Sequence, residues 1–126
     1  MAVAKRKRES ASLLRLRLAL GNGRAFGPGK ADLLEGIAAQ GSIAAAGRAL
    51  GMSYKRAWQL VEDVNQSFSS PLVSASKGGE KGGGAALTDA GRRVLDLYRG
   101  IEKKSRRAAA KELHVLHRLT KKRRPT

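Results

Sequence analysis

The sequence predicts a mainly α-helical fold with one small β-hairpin, and three observations support this. Residues 41–65 carry two helical patterns separated by a glycine-centred turn. Two short apolar runs then flank a loop of glycine and lysine, which is typical of a hairpin with a flexible tip. A further helical pattern begins after Thr88. In this order the elements indicate a winged helix-turn-helix with a long C-terminal helix.

Length and composition exclude several classes of protein. A chain of 126 residues supports one domain plus tails. It has no cysteine, which excludes disulfide scaffolds and cysteine-ligated metal sites. Its apolar stretches are far shorter than a membrane span needs. With a net charge of +16, we expect a cytoplasmic, nucleoid-associated protein with a polyanionic partner and no membrane.

The charge is concentrated at the two ends of the chain. Residues 1–9 carry four bases and one acid, and residues 102–126 carry ten bases and two acids. Basic ends attach to nucleic acid by counterion release, which is blind to sequence, although plain solvated tails are the alternative. We therefore predict three segments: a basic arm without regular structure (1–10), a DNA-binding domain (11–103), and a basic helical extension with a tail (104–126).

The N-terminal third of the domain is predicted to hold a strand and a helix. Leucine and arginine alternate over residues 14–18, which indicates a half-buried strand. Residues 21–23 (Gly-Asn-Gly) are a turn signal, and residues 27–29 (Gly-Pro-Gly) are a second breaker. From Lys30 a helix runs to Gly41, with apolar residues at helical spacing: Leu33, Leu34, Ile37 and Ala38.

Two capped helices follow and form the predicted helix-turn-helix. Ser42 can cap a helix that Gly51 ends, and Ser53 can cap another that reaches about Ser67. Small residues in the first helix allow the pair to cross closely, whereas an ordinary amphipathic helix pair is the alternative. Trp58 lies in the apolar stripe of the second helix, and we expect it in the core.

The start of the second helix is the predicted docking end. A recognition helix enters the major groove with its N-terminal residues leading. Phosphate and base-edge partners are available there from Ser53, Tyr54, Lys55 and Arg56. Glu62 and Asp63, two turns further on, would repel phosphates if they faced DNA.

The last third predicts a wing and a long helix. A strand over residues 71–76 leads into residues 77–84, which hold five glycines and two lysines, and then into a strand over residues 85–87. In a wing such a cationic tip lies along the DNA backbone or in the minor groove; a plain surface loop is the alternative. Thr88 can cap a helix that continues to Leu119 and carries one apolar face: Val94, Leu97, Tyr98 and Ile101.

Several of these motifs occur in the order and spacing that a known protein family shows. They are residues 41–43, 46–51 and 53–55, the pair Ala57-Trp58, the glycine-rich tract 78–85, and Leu87-Thr88 with Gly91. Over roughly residues 12–103 the chain resembles the N-terminal domain of the molybdate-responsive ModE-type transcriptional regulators. The resemblance implies a winged helix-turn-helix related to the DNA-binding domain of LysR-type regulators.

The resemblance also implies partners and residue roles. The expected assembly is a homodimer on an inverted-repeat operator in double-stranded DNA, often repressing molybdate-transport genes. Carried over by position, the recognition helix contacts DNA through Ser53, Tyr54, Lys55, Arg56 and Gln59. Ser42, the N-cap of the preceding helix, is a further expected DNA contact. The wing contributes Lys77, Gly78, Gly79, Lys81 and Gly82. The dimer interface consists of Leu33, Leu34, Ile37, Val94, Leu97, Tyr98 and Ile101.

The end of the chain departs from the family pattern. Full-length members carry C-terminal molybdate-binding domains, whereas residues 121–126 form a basic tail. A truncated form or a stand-alone regulator would both account for this, and the tail favours the second. We expect no cofactor, no small-molecule substrate and no direct molybdate sensing.

An enzyme is the least supported class, because no nucleophile, general base or metal constellation is evident. His114 and His117 lack a third ligand for zinc. Two alternatives remain besides a sequence-specific repressor. One is a non-specific architectural protein driven by its basic tails, and the other is an adaptor whose winged helix binds protein.

Overall fold

A computed structural model of the chain describes residues 13–76 and 84–121. Four strands and five helices follow one another in these residues. They are β1 (Leu18–Gly21), β2 (Arg24–Phe26), α1 (Pro28–Gln40), α2 (Ile43–Ala49), α3 (Tyr54–Ser67), β3 (Val73–Ala75), β4 (Ala85–Leu87), α4 (Asp89–Ala108) and α5 (Ala110–Leu119). The predicted class, mainly helical with a small hairpin in the order of a winged helix-turn-helix, is confirmed. The predicted basic arm, residues 1–10, lies outside the described residues.

The chain divides into two compact units. The central unit consists of residues 17–98, and the terminal unit consists of residues 1–16 together with residues 99–126. Helix α4 contributes residues to both units. The predicted boundaries at residues 10 and 103 stay predictions.

The core of the central unit is built around the Phe26 ring. Its centroid lies 5.1 Å from that of Tyr98 and 6.0 Å from that of Phe68, both in edge-to-face geometry. Such pairs stabilise a core by about 0.5–1.5 kcal/mol beyond the burial of their area. Aliphatic side chains from every helix of the unit surround the rings: Leu33, Leu34, Ile37, Ile43, Leu60, Val61, Val64 and Leu95.

This core corrects the predicted dimer interface. The side chains of Leu33, Leu34, Ile37 and Tyr98 are at most 2% exposed, because they fill the interior of a single chain. A second chain cannot reach them, so these four residues are core residues and the prediction for them is wrong. Val94 is partly buried against the same core. Of the seven predicted positions, Leu97 and Ile101 are the two that are well exposed, at 58% and 40%.

The first strand lies further along the chain than the predicted residues 14–18, with Leu18 alone in common, and it has an unpredicted partner. Residues 14–17 form no strand, although their burial alternates as expected, with the leucines half-buried and the arginines exposed. Pairing begins at Leu18, which lies opposite Phe26 in an antiparallel β1–β2 hairpin. The turn between the strands is possible because Gly21, Asn22 and Gly23 all adopt positive φ.

The helix after this hairpin is confirmed. Pro28 stands in the first turn of α1, where its missing N–H costs no hydrogen bond. Gly41 ends the helix in the left-handed conformation, at φ 69°, and its N–H donates to the Ile37 carbonyl at 2.8 Å.

The prediction of one continuous helix to Leu119 is wrong, because the helix is interrupted at Ala109, in the terminal unit. That residue has φ −100° and ψ 12°, and α5 begins at the next position. Alanines favour helix, so local propensity gives no reason for a break. After the break, Leu113 is buried, at 7% exposed, whereas Val115, Leu116 and Leu119 are well exposed.

Candidate nucleic-acid interface

Each helix of the helix-turn-helix begins with one serine cap, as predicted. The Ser42 hydroxyl accepts a hydrogen bond from the Ala45 N–H at 3.1 Å and begins α2. The Ser53 hydroxyl accepts from the Arg56 N–H at 3.0 Å and begins α3. Each cap satisfies one of the backbone donors that a helix start leaves free. Between the helices, Gly51 adopts φ +72°, as the left-handed helix end requires.

The two helices cross at very short range. A β-carbon on Gly47 would lie 2.9 Å from the β-carbon of Ala57, closer than side chains approach. Gly47 and Ala57 are both buried. The Gly47 carbonyl also accepts a hydrogen bond from the Met52 N–H at 2.8 Å across the turn. The close crossing was predicted from the run of alanines, but Gly47 and Ala57 are the residues at which it occurs.

The first turn of α3 presents an exposed polar surface. All five residues predicted to face the major groove are exposed, with Tyr54 at 60%: Ser53, Tyr54, Lys55, Arg56 and Gln59. Ala57 and Leu60 on the other side of the helix are buried, which fixes its rotation. The structure therefore exposes all five at the start of α3, whereas Ser42 is only half-exposed at the start of α2.

Trp58 lies at the border between this surface and the core. It is partly buried and packs against the core cluster, so its predicted core position is met in part. Its ring centroid lies 6.1 Å from that of Tyr54, with the rings at 76°. The exposed Tyr54 thus rests on a side chain that the core holds in place.

The electrostatics of α3 change along its length. Its first turn contains no acidic residue and carries Lys55 and Arg56, beside backbone N–H groups that point out of the helix start. The positive charges, the helix dipole and the free donors all favour phosphate oxygens at this end.

Asp63, two turns further on, is engaged within the protein. Arg24 donates to its Oδ1 at 3.1 Å, and Lys30 forms an ion pair with its Oδ2. The hydrogen bond from Lys30, with the charges of Lys30 and Arg24, holds the pKa of Asp63 below its usual range despite the opposing effect of burial. This network ties α3 to β2 and α1 and neutralises cations that would otherwise attract phosphate.

Asn65 connects α3 to the base of the wing, and sequence reasoning missed it. Its Oδ1 accepts hydrogen bonds from the N–H groups of Leu72 and Val73, at 2.8 and 3.0 Å, and its Nδ2 donates to the Val73 carbonyl at 3.1 Å. No periodicity signals this role, because a polar side chain here bonds strand backbone seven and eight residues away. It holds the first wing strand against the recognition helix.

The wing itself is a short antiparallel pair. Val73, Ser74 and Ala75 of β3 lie opposite Leu87, Ala86 and Ala85 of β4. Strand β3 is shorter at both ends than the predicted 71–76, whereas β4 has the predicted bounds of 85–87. The predicted wing-tip contacts lie outside the described residues: Lys77, Gly78, Gly79, Lys81 and Gly82.

Thr88 closes the other side of the wing base. Its hydroxyl donates to the Pro71 carbonyl at 2.7 Å and accepts from the Gly91 N–H at 3.0 Å, as the predicted cap of α4 requires. Recognition helix, wing strands and α4 are therefore joined by hydrogen bonds at both edges of the wing base.

The described residues contain neither a metal-ligand cluster nor a membrane-spanning helix. Within residues 13–76 and 84–121, no three His, Asp or Glu side chains cluster as metal ligands would. Among the helices of those same residues, none is long and apolar enough to cross a membrane.

Comparison with known proteins agrees with this geometry. The profile of the bacterial regulatory helix-turn-helix proteins of the lysR family matches residues 30–92, which is half of the chain. The match runs from the start of α1, through the helix-turn-helix and the wing, into the first turn of α4.

Individual relatives carry names connected with molybdenum. The molybdenum transport protein ModE of Azotobacter vinelandii is 40% identical over 90 residues, 71% of this chain and 33% of its own length. The molybdenum-pterin-binding protein MopB of Rhodobacter capsulatus is 44% identical over 80 residues, 64% of this chain and 30% of its own. The DNA-binding transcriptional dual regulator ModE of Escherichia coli K12 is 42% identical over 71 residues, 56% of this chain and 27% of its own. The chain thus matches a third or less of the length of these relatives.

Proposed function

Because this chain belongs to the lysR family of bacterial regulatory helix-turn-helix proteins, we propose that it is a sequence-specific regulator that represses molybdate-transport or other molybdenum-related genes. The family and the exposed first turn of α3 support DNA binding. The relatives named ModE support the molybdenum theme. Repression follows if the protein occupies an operator that RNA polymerase needs.

The observation that carries the proposal is the exposed face of α3 on a rigid support. Lys55, Arg56 and Gln59 project from a helix that a serine cap, a close crossing and the Asn65 bonds hold in place. Base readout needs such a support, because a bidentate contact discriminates by about 1–3 kcal/mol only when its geometry is fixed. Lys55 and Arg56 have donors suited to guanine and phosphate, and Gln59 has the amide that pairs with adenine.

A homodimer is part of the proposal. Two copies would place two recognition helices about one helical turn of DNA apart, or a small multiple of it, so the operator would be an inverted repeat. Leu97 and Ile101 are four residues apart on α4 and exposed, and they are the members of the predicted interface that remain available for a second copy. Exposed apolar side chains at this spacing form the stripe that helix pairing uses.

The experiment is selection of bound duplexes from a random pool by the 126-residue protein at about 0.15 M salt, followed by footprinting. We expect an inverted-repeat consensus that also occurs upstream of molybdate-transport genes in the source genome. Protection limited to one continuous, sequence-independent tract would instead identify the architectural alternative. A molybdate titration belongs in the same experiment, and we expect no change in affinity for the selected duplex.

Removal of the basic ends separates the two functions further. A variant without residues 1–9 and 119–126 loses affinity in both cases, because counterion release is reduced. A sequence-specific regulator keeps its preference for the selected duplex over a random one. An architectural protein loses most of its binding and has no preference to keep.

A further inference from the structure

Three exposed cations share one face of α4 within the terminal unit. Lys103, Lys104 and Arg107 are all exposed, and Arg107 lies between the two lysines when the helix is viewed along its axis. Gly100 stands on the same side one turn earlier, with open space where a side chain would be. We call Gly100, Lys103, Lys104 and Arg107 the cationic face.

The acidic residue nearest to these cations points the other way. Glu102 is only 4% exposed, and its carboxylate accepts from Arg99 at 2.9 Å and from Arg106 at 3.5 Å. Arg106 donates in addition to the Leu14 carbonyl at 3.4 Å. Glu102 therefore pairs with two half-buried arginines, Arg99 and Arg106, and does not neutralise the cationic face.

The charges of the cationic face have no partner within the described parts of the chain. No ion pair or hydrogen bond joins the side chains of Lys103, Lys104 or Arg107 to residues 13–76 or 84–121. Lys103 and Arg107 are four residues apart, a spacing at which like charges destabilise a helix. An anion bound along this face would relieve that repulsion, and Gly100 allows its backbone to approach closely.

We propose that the cationic face is a second DNA contact, which binds phosphates of duplex DNA without reading sequence. Residues 103–107 span about 6 Å of helix axis, and a duplex carries one charge per ~1.7 Å of its own axis when both strands are counted. The three cations thus face a length of duplex that carries about three to four phosphate charges over its two strands. The face lies beyond the residues 30–92 that match the family, so it is separate from the contact proposed for α3.

The test compares two triple variants of the full chain that lose the same charge. One replaces the face (Lys103→Gln, Lys104→Gln, Arg107→Gln), and the control replaces other exposed cations of the terminal unit (Arg15→Gln, Lys111→Gln, Arg118→Gln). Binding of a random-sequence duplex is measured across a range of salt concentrations. For the face variant we expect the slope of log K against log salt to fall by about 2.7, because each phosphate contact contributes about 0.9. For the control we expect this slope to fall by less than about 0.9, the contribution of one phosphate contact.

Two outcomes overturn the proposal: an unchanged slope in the face variant, or an equal fall in both triple variants. Far-UV circular dichroism and the unfolding midpoint check that both variants fold. If the face variant does not fold, the single substitution Lys104→Gln decides, with an expected fall of about 0.9 against none.

The result does not depend on the proposed operator, because the duplex is random in sequence. If a sequence-specific operator exists, loss of the face lowers affinity for operator and random duplex by the same factor. If no operator exists, the slopes still show whether the face binds DNA.

Discussion

Gly91 at the start of α4 lies directly against the backbone of Leu72 at the base of the wing. A β-carbon on Gly91 would be 2.1 Å from the Leu72 carbonyl oxygen, far inside contact distance. The same oxygen accepts a hydrogen bond from the Thr88 N–H at 3.0 Å. Leu72 is fully buried, so neither side of this contact can move away without disturbing the core. The wing base and α4 therefore form one packed junction.

Gly91→Ala should separate this junction. Because backbone meets the new methyl group, we expect the free energy of unfolding to fall by about 1–3 kcal/mol or more, measured by urea denaturation. Gly100→Ala on the same helix is the control. Open space surrounds Gly100, so that change should stabilise the helix by about 0.5–1 kcal/mol. If the two substitutions changed the free energy of unfolding equally, the close approach of Gly91 to Leu72 would not contribute to stability.

Asp63→Asn should reveal the pH dependence of the network with Lys30 and Arg24. The pKa of Asp63 is lowered in the folded protein, so its charged form stabilises the fold at pH values above the ordinary pKa of 3.8. That stabilisation is lost as pH falls through the lowered pKa. We expect the wild type to be more stable than Asp63→Asn near neutral pH, with a difference that shrinks below about pH 4.

Glu62→Gln is the matched control for this prediction, because Glu62 is the exposed neighbour on the same helix. Its effect should stay within about 0.5 kcal/mol. Unfolding free energies for the three proteins between neutral and acidic pH provide the measurement. If the difference in unfolding free energy between wild type and Asp63→Asn stayed constant down to pH 2, the stabilising role of the charged Asp63 would be contradicted.

Arg56→Ala should reduce discrimination between the selected operator and random duplex. Loss of a base contact costs about 1–3 kcal/mol on the correct sequence and much less on a random one. The fluorescence of Trp58, the single tryptophan of the chain, offers a direct titration signal because its ring contacts Tyr54 on the docking surface. Arg93→Ala removes an exposed arginine from α4 and serves as the charge-matched control. An equal loss on both duplexes would identify Arg56 as a phosphate contact.

Leu97→Glu combined with Ile101→Glu should shift the protein from dimer to monomer in sedimentation. Two charges within an apolar helix pair are costly to bury, whereas both side chains are exposed in the single chain, so the fold should persist. Leu20→Glu introduces a charge at a position on β1 that is 36% exposed and should leave the dimer intact. A wild type that sediments as a monomer would remove the dimer from the proposal.

The candidate docking surface was largely predictable, because its signals are local. A serine cap acts on the N–H three residues later, so Ser42, Ser53 and Thr88 were recognisable from sequence. Helical periodicity then fixed which side of α3 is buried and left Lys55 and Arg56 on the outside.

The supports of that surface were not predictable, because their partners are distant along the chain. Asn65 bonds the strand backbone beyond the end of its helix, and Asp63 pairs with Arg24, 39 residues away. Four residues of the predicted dimer face were misassigned for a related reason. An apolar stripe shows that a helix face is buried, but it does not show whether its own chain or a second chain buries it.

The sequence by itself determined the helical order, the caps and the turn glycines, since propensity and capping act over a few residues. The tertiary structure alone decided four points. It paired β1 with β2, placed Leu33 and Tyr98 in the interior, broke the last helix at Ala109 and paired the buried Glu102 with Arg99 and Arg106. Each of these depends on which distant parts of the chain pack together. Whether an apolar side chain is buried within its own chain or left on the surface is decided only when the whole core forms.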